Sequence, residues 1–280
     1  MNLSVVIITL NEEANLGRTL ESVKPLVADG KGEIIVVDSG STDRTLEIAK
    51  SFGAKVFVEE WKGYAAQKNS AIDKATGDWI LSLDADEEVD SELIEAAGCH
   101  DEKALPGIGS REWCLTMGQA GQGQEFLEGR PVGFVIRRKN YFMGRWIRHG
   151  GFWPDPKVRL FRRGSGRFED RAVHEDVRVD GPTKLIQCGS LVHHSYPTLS
   201  DYIDHMNRYS SLGAEMVASQ GNVRFSIINI VLRPLATFVY NYFFRLGFLD
   251  GREGLLLHLY HAVYVSWKYA KAWELSRKRP

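Results

Sequence analysis

The chain has 280 residues, 44% of them hydrophobic and 25% charged, with a formal net charge of −1. That balance excludes a disordered or low-complexity chain and supplies a sizeable core for one large domain, or one domain with an appendage. Cys99, Cys114 and Cys188 are odd in number and share no metal-ligand spacing, so they read as reduced thiols of a cytosolic protein rather than a disulfide framework.

The near-neutral total hides an asymmetry. Residues 1–102 carry 9 Lys/Arg against 21 Asp/Glu, residues 130–173 carry 12 against 3, and residues 222–280 carry 9 against 3. The basic middle and tail either face something anionic or are solvated faces. No signal peptide is expected, because the first apolar run, Val5 to Ile8, is short and ends in Asn11-Glu12-Glu13.

In chain order, Leu3 to Thr9 is a nearly continuous β-branched run, the pattern of a strand covered on both faces. Asn11 is the expected N-cap of a helix carrying the stripe Leu16, Leu20, Val23 and Val27. Glu33 to Val37 is a second buried strand, and Asp38 to Asp43 a turn that caps a helix running through Lys50 and closed by Gly53. Lys55 to Val58 is a third strand, followed by a helix from about Tyr64 to Ala75 closed by Gly77. Trp79 to Asp84 is the fourth. Four alternations predict an α/β fold, a mostly parallel sheet flanked by helices, with ligands beyond the carboxyl ends of its strands. Three polar turns converge there: Thr9 to Glu13, Asp38 to Asp43 and Asp84 to Glu88.

The second half is less regular. Gly118 to Gln124 reads as a surface loop or a mobile lid. Pro131 to Arg138, Lys157 to Phe161 and Leu185 to Val192 are expected strands, the last ending at His193-His194. A helix is expected over Leu199 to Ser219, then the apolar, aromatic stretch Phe225 to Phe248 and a second apolar helix from Leu255 to Trp273. Ile227 to Phe244 approaches membrane-spanning length, but Arg233 and Pro234 interrupt it. An in-plane helix pair at a membrane surface or a homo-oligomer contact fits better, and the two are not exclusive.

Asp84 and Asp86 end the fourth strand at i, i+2, a spacing that turns both carboxylates to one side. Two hard oxygen ligands at an open edge suit Mg²⁺ or Mn²⁺, with substrate phosphates completing the shell. The alternative is a solvated acidic turn opening the next helix. The turn after the first strand lacks Gly-x-Gly-x-x-Gly, which argues against a dehydrogenase.

Val5 to Glu12, Val36 to Asp43 and Leu83 to Asp86 together resemble the family 2 glycosyltransferases, which carry the nucleotide-sugar-binding GT-A fold. More loosely, Arg159-Leu160-Phe161, Val173-His174-Glu175 and Phe244 to Gly254 resemble the branch that builds the bacterial lipopolysaccharide inner core. The resemblance implies that Thr9, Asn11, Glu12, Asp38, Lys68 and Asp84 bind the nucleotide. It places Asp86 on the metal and Asp84 on the ribose or the metal's water shell, while His174 reads as orienting the catalytic base or as contacting the phosphates or the metal. Asp43 reads instead as a turn and cap residue.

An inverting transfer needs one carboxylate to take the acceptor's proton. Glu175 and Asp176 are adjacent, so in an extended stretch only one of them can serve; resemblance favours Glu175. Arg159, Arg171, Trp153 and His194 are candidates for phosphate or acceptor contact.

The expected organisation is a nucleotide-sugar-binding half at 1–98, an acceptor and catalytic-base half at 99–198, and a helical extension at 199–280. The expected partners are a nucleotide-diphosphate sugar, a UDP-sugar first, a glycolipid or phosphorylated saccharide acceptor, and the inner face of the cytoplasmic membrane. Nucleic acid is not expected, since no helix or aromatic-interleaved sheet motif supports it. A sugar-phosphate nucleotidyltransferase would open with a Gly-rich loop, which Thr9 to Glu13 lacks. A non-catalytic scaffold would keep the crevice without the base.

Overall fold

A computed structural model of the chain describes residues 2–98, 131–169, 176–221 and 223–278. It divides into two compact units, Met1–Arg138 with Pro156–Arg171 and Glu175–His193, and Lys139–Asp155 with Ala172–His174 and His194–Pro280.

The first unit is built on strands β1 (Leu3–Thr9), β2 (Gly32–Asp38), β3 (Lys55–Val58) and β4 (Trp79–Asp84), parallel and in the order β3-β2-β1-β4. Side chains alternate across a strand. Val5 and Ile7 therefore join Leu16, Leu20 and Val23 of helix α1 (Leu16–Val27) on one face. Val6 packs on the other face with Ala65, Ala71 and Ile72 of helix α3 (Tyr64–Asp73). Helix α2 (Thr45–Ser51) adds Ala49 to the first face. Both faces of β1, β2 and β4 are covered, which is why these strands read as apolar runs, whereas β3 at the edge is largely exposed.

Beyond β4 the sheet continues through β5 (Glu87–Val89), β6 (Gly133–Phe142), β8 (Asp155–Arg162) and β12 (Leu191–Tyr196), in the order β4-β8-β6-β12-β5. Between them in sequence lie β7 (Arg145–Trp146), the hairpin β9 (Gly166–Phe168) with β10 (Val177–Val179), and β11 (Thr183–Leu185). β11 lies parallel beside β6, and helix α4 (Ser91–Gly98) follows β5.

Three expectations shift. Asn11 does not cap α1, which begins at Leu16 with Asn15 at its N-cap. Instead Asn11 adopts φ +55°, and its side chain bonds the neighbouring loop. Gly77 is not a helix stop either. A Cβ there would lie 2.7 Å from the Asn2 carbonyl oxygen, so it permits a close approach of two backbones. The single strand expected over Leu185 to Val192 is two. Gly189 separates them at φ +77°, where a Cβ would lie 2.4 Å from the Leu93 nitrogen. The run Gly118 to Gln124 lies outside the described residues.

The second unit packs helix α5 (Leu199–Ser219) on α7 (Gly251–Lys278). Thr198 opens α5 with a capping box to Asp201. Phe142, Ile147, Tyr202 and Leu257 form its core, joined by Phe152, Tyr196 and Met206. Lys271 reaches from α7 to the Asn207 carbonyl oxygen at 2.9 Å and to Ser210 and Ser211. Helix α6 (Arg233–Val239) is flanked by wider π-helical turns at Ile228–Leu232 and Tyr240–Phe244. Among the described residues no helix is long and apolar enough to cross a membrane.

Candidate active site

Register sets the floor of the site. Thr9 lies opposite Asp38 on β2, and Ile8 opposite Asp84 on β4, so three strand tips end level. The loops above β1 and β2 are bonded together. Asn11 N donates to Ser41 Oγ at 2.8 Å, Thr42 N to Asn11 Oδ1 at 2.9 Å, and Arg44 N to Glu13 Oε2 at 3.0 Å. Glu12 N donates to Thr45 Oγ1 at 2.8 Å and Glu13 N to Asp43 Oδ2 at 3.1 Å. Asp43 also accepts from Thr45 N at 3.0 Å, the turn-and-cap task the sequence suggested for it.

Asp38 is fully buried. Its Oδ1 accepts from Gly40 N and Ser41 N, both at 2.8 Å, and its Oδ2 from Thr9 Oγ1 at 2.8 Å and Ser41 Oγ at 2.5 Å. Thr9, Asn11 and Asp38 therefore spend their side chains on shaping the loops that wall the crevice.

The β4 tip is a chain of alternating charges. Lys68 Nζ lies 2.6 Å from Asp84 Oδ1, and Arg159 Nη2 lies 2.6 Å from Asp84 Oδ2 and 2.7 Å from Glu87 Oε1. Arg138 Nη1 completes it, 2.9 Å from the same Glu87 oxygen. Glu87 and Arg159 are buried, and Glu87 Oε2 accepts from Asp84 N at 3.1 Å. Burial works against the charge on Asp84, but Arg159 and Lys68 hold its carboxyl well below the ordinary range. Both of its oxygens are thus engaged by cations.

Asp86 sits one turn further on, and its Oδ2 lies 3.3 Å from His193 Nε2. Burial opposes its ionisation and His193 favours it, with the net shift downward. Thr19 Oγ1 steadies this turn by donating to the Ala85 carbonyl oxygen at 2.6 Å. Glu12 is shifted the other way. Burial raises its pKa, and the negative charges of Asp86, Asp43 and Asp84 raise it further against a hydrogen bond from Asn15. Acidic groups from the β1 and β4 tips therefore feel one another in a common crevice.

Among the described residues, no three of His, Cys, Asp and Glu stand close enough to hold an ion alone. Asp86 and His193 form a pair, and the carboxylates around them favour a cation. That suits Mg²⁺ or Mn²⁺, which bind through one or two protein groups plus phosphate and water. It does not suit an ion that needs an all-protein cage.

His193 is not among the residues the sequence singles out, since without a second ligand pair His193-His194 reads as structural, or as acceptor-contacting at His194. His193 reaches Asp86 because β12 pairs antiparallel with β5, setting it opposite Glu87. Nothing local in the sequence announces that register. Glu87 and Arg138 go unannounced for the same reason. Asp176 is exposed and lies 3.5 Å from Lys157. Glu175, His174 and Arg171 lie outside the described residues. In the second unit His194 stacks at a tilt on Tyr141, and Trp153 stands edge-on to Trp146 with centroids 5.1 Å apart.

The profile of the family described as Glycosyl transferase family 2 matches residues 4–97, which hold every strand tip described above. A lipopolysaccharide core biosynthesis glycosyltransferase, LpsC of Rhizobium meliloti, is 30% identical over 97% of this chain and 92% of its own length. The chain belongs to glycosyltransferase family 2. An uncharacterized glycosyltransferase of Rickettsia felis is 50% identical over 91% of this chain and 83% of its own. Among solved structures, S. aureus TarS 1–349 in complex with UDP-GlcNAc matches with a TM-score of 0.46 and 16% identity, over 99% of this chain and 92% of that one. The α/β architecture of this family 2 enzyme, a mostly parallel sheet flanked by helices with C-terminal helices, is that of the GT-A fold.

Proposed function

We propose that the enzyme transfers a sugar from a nucleotide-diphosphate donor, a UDP-sugar first, to a lipopolysaccharide-core or related cell-envelope glycolipid, with inversion at the anomeric carbon. The observation that carries this reading is the Asp86–His193 pair beside an Asp84 already neutralised by Lys68 and Arg159. Among the described residues Asp86 pairs with no arginine or lysine, and it stands where a donor's diphosphate would meet the strand tips. The Rhizobium relative, named for lipopolysaccharide core biosynthesis, supports an acceptor of that class.

Asp86, with His193, would hold the divalent cation, which when bound would supply positive charge to stabilise the departing nucleoside diphosphate. Lys68 and Arg159 keep Asp84 ionised and fixed, and Arg159 acts from beneath the site rather than on the acceptor. Glu175, or Asp176, takes the proton of the acceptor hydroxyl. The acceptor oxygen bonds to the anomeric carbon as the bond to the diphosphate oxygen breaks with its electron pair. A single displacement inverts the centre and needs no second carboxylate. The enzyme would work at the inner face of the cytoplasmic membrane.

The test is donor turnover and transfer with and without Mn²⁺, in Asp86→Ala, Glu175→Gln and Asp176→Asn. Loss in Asp86→Ala and in one of the two base variants is expected. Full activity in all three would overturn the mechanism. A thermal-shift screen of nucleoside diphosphates identifies the donor, since a ligand bound to the native state raises its melting temperature.

A further inference from the structure

The second unit carries a pocket of about 260 Å³ lined by Arg148, Gly150, Trp153, Phe244, Arg245 and Leu246. Its wall is fixed by the buried carboxylate of Asp250. Asp250 accepts from Arg148 N at 3.2 Å and His149 N at 2.8 Å, and its Oδ1 lies 3.0 Å from His149 Nδ1. Gly150 N donates to the Arg245 carbonyl oxygen at 2.9 Å. Gly150 and Gly151 hold φ of +66° and +90°, and a Cβ on Gly151 would fall 2.1 Å from the Arg245 guanidinium.

Neither Arg148 nor Arg245 pairs with a carboxylate among the described residues. Each offers a ring its face instead, Arg148 over Trp146 at 4.2 Å and Arg245 over Tyr240 at 5.8 Å. A stacked guanidinium keeps its in-plane N–H edge for an anion, and that edge matches phosphate. The pocket's other rim is apolar and continuous with a face that is exposed among the described residues. Ile228, Val231, Leu235 and Phe243 recur at helical spacing and are exposed, as are Phe244, at 75%, and Leu246. From Phe225 to Leu249 the chain has no Asp or Glu, while Arg224, Arg233, Arg245 and Arg252 stud the stretch and its borders. Apolar face, aromatic rim and unopposed arginines complement an anionic bilayer, whereas a second copy would bring the same positive charge against itself.

We propose that this pocket receives the phosphate group of an anionic membrane lipid, with the exposed face of residues 225–249 resting in the bilayer surface. This deepens the membrane reading above, and the pocket is where a phosphorylated glycolipid would first be engaged. Trp153 lies at the pocket wall, edge-on to Trp146.

The test is flotation of the full chain with vesicles of phosphatidylcholine alone, or mixed with phosphatidic acid, without donor or metal. Binding to the mixed vesicles alone is expected. Replacing both arginines (Arg148→Gln with Arg245→Gln) should weaken it by roughly five-fold per arginine. Leu235→Glu with Phe244→Glu should abolish it, and Arg148→Lys with Arg245→Lys, which keeps the charge but loses the planar edge, should bind less tightly than the wild type and more tightly than the glutamine variant in a protein of unchanged melting temperature. Unaltered binding of the glutamine variant, or equal binding to neutral vesicles, overturns the proposal. So does a dimer in solution that the glutamate variant splits while vesicle binding stays as it was. Glycerol 3-phosphate binding as tightly as the vesicles would assign the pocket to a free phosphate instead. Asp86→Ala should float like the wild type, which separates failure here from failure of the transfer mechanism.

Discussion

The carboxylate of Asp86 and the imidazole of His193 meet 3.3 Å apart, although 107 positions separate them in the sequence. The antiparallel pairing of β5 and β12 makes the meeting, so the candidate cation site depends on the sheet's far edge as much as on the β4 tip.

His193→Ala should therefore act on pH dependence as well as on rate. Burial opposes the charge on Asp86 and His193 favours it, so removing His193 raises the Asp86 pKa and the acidic limb of the activity profile should move to higher pH. The Mn²⁺ concentration needed for half-maximal activity should rise in parallel. A pH–rate profile that overlays the wild type would refute the pairing's role.

Arg159 is buried between Asp84 and Glu87, so Arg159→Met would remove the cation they share and leave Asp84 to Lys68 alone and Glu87 to Arg138 alone. The expected loss is about 3–5 kcal/mol of folding stability, because breaking a buried network leaves charge uncompensated. Urea denaturation measures it, and a loss below about 1 kcal/mol would mean that water reaches the network.

Asn11 separates backbone strain from side-chain bonding. Its φ of +55° suits glycine as well as asparagine, whereas alanine meets a steric penalty of about 1 kcal/mol there. Asn11→Gly should lose only the bond to Thr42, and Asn11→Ala should be less stable than the glycine variant by roughly that amount. The opposite order in thermal melts would contradict the loop geometry.

Glu33 couples stability to acid. Burial opposes its charge, yet Lys55, Ser4 and Thr76 bring its pKa down to about 2 from the ordinary 4.5. A depressed carboxyl contributes in full above its unfolded value and loses that contribution as pH falls through the folded one. Glu33→Gln should therefore cost about 2 kcal/mol at neutral pH, and the gap from the wild type should close between pH 4.5 and about 2. A gap that stays constant over that interval would argue against ionisation as its source.

The strands β1 and β2 were legible because parallel strands covered on both faces leave a run of β-branched residues, and β4 because its buried run is apolar up to Asp84. The Asp84–Asp86 spacing was legible as a strand tip for the same reason. What surrounds it was not, since Lys68, Arg159, Glu87 and His193 arrive from α3, β8, β5 and β12, and sequence patterns report only near neighbours. Asn11 misled because Asn-Glu-Glu before an apolar stripe is the signature of a cap whether or not the helix starts there. The side chain found a stronger use across the gap to Thr42. In the basic segment, residue type pointed to anion contact, but position divides it. Arg159 and Arg138 serve buried carboxylates, while Arg148 and Arg245 keep their edges open.

The bonds between the β1 and β2 loops carry a consequence for inheritance. A change at Asn11, Glu13, Ser41 or Thr42 removes a donor or acceptor that a different loop relies on, so tolerated substitutions should arrive in matched couples. Engineers seeking a new donor preference would do better to exchange both loops as a cassette than to edit one residue at a time.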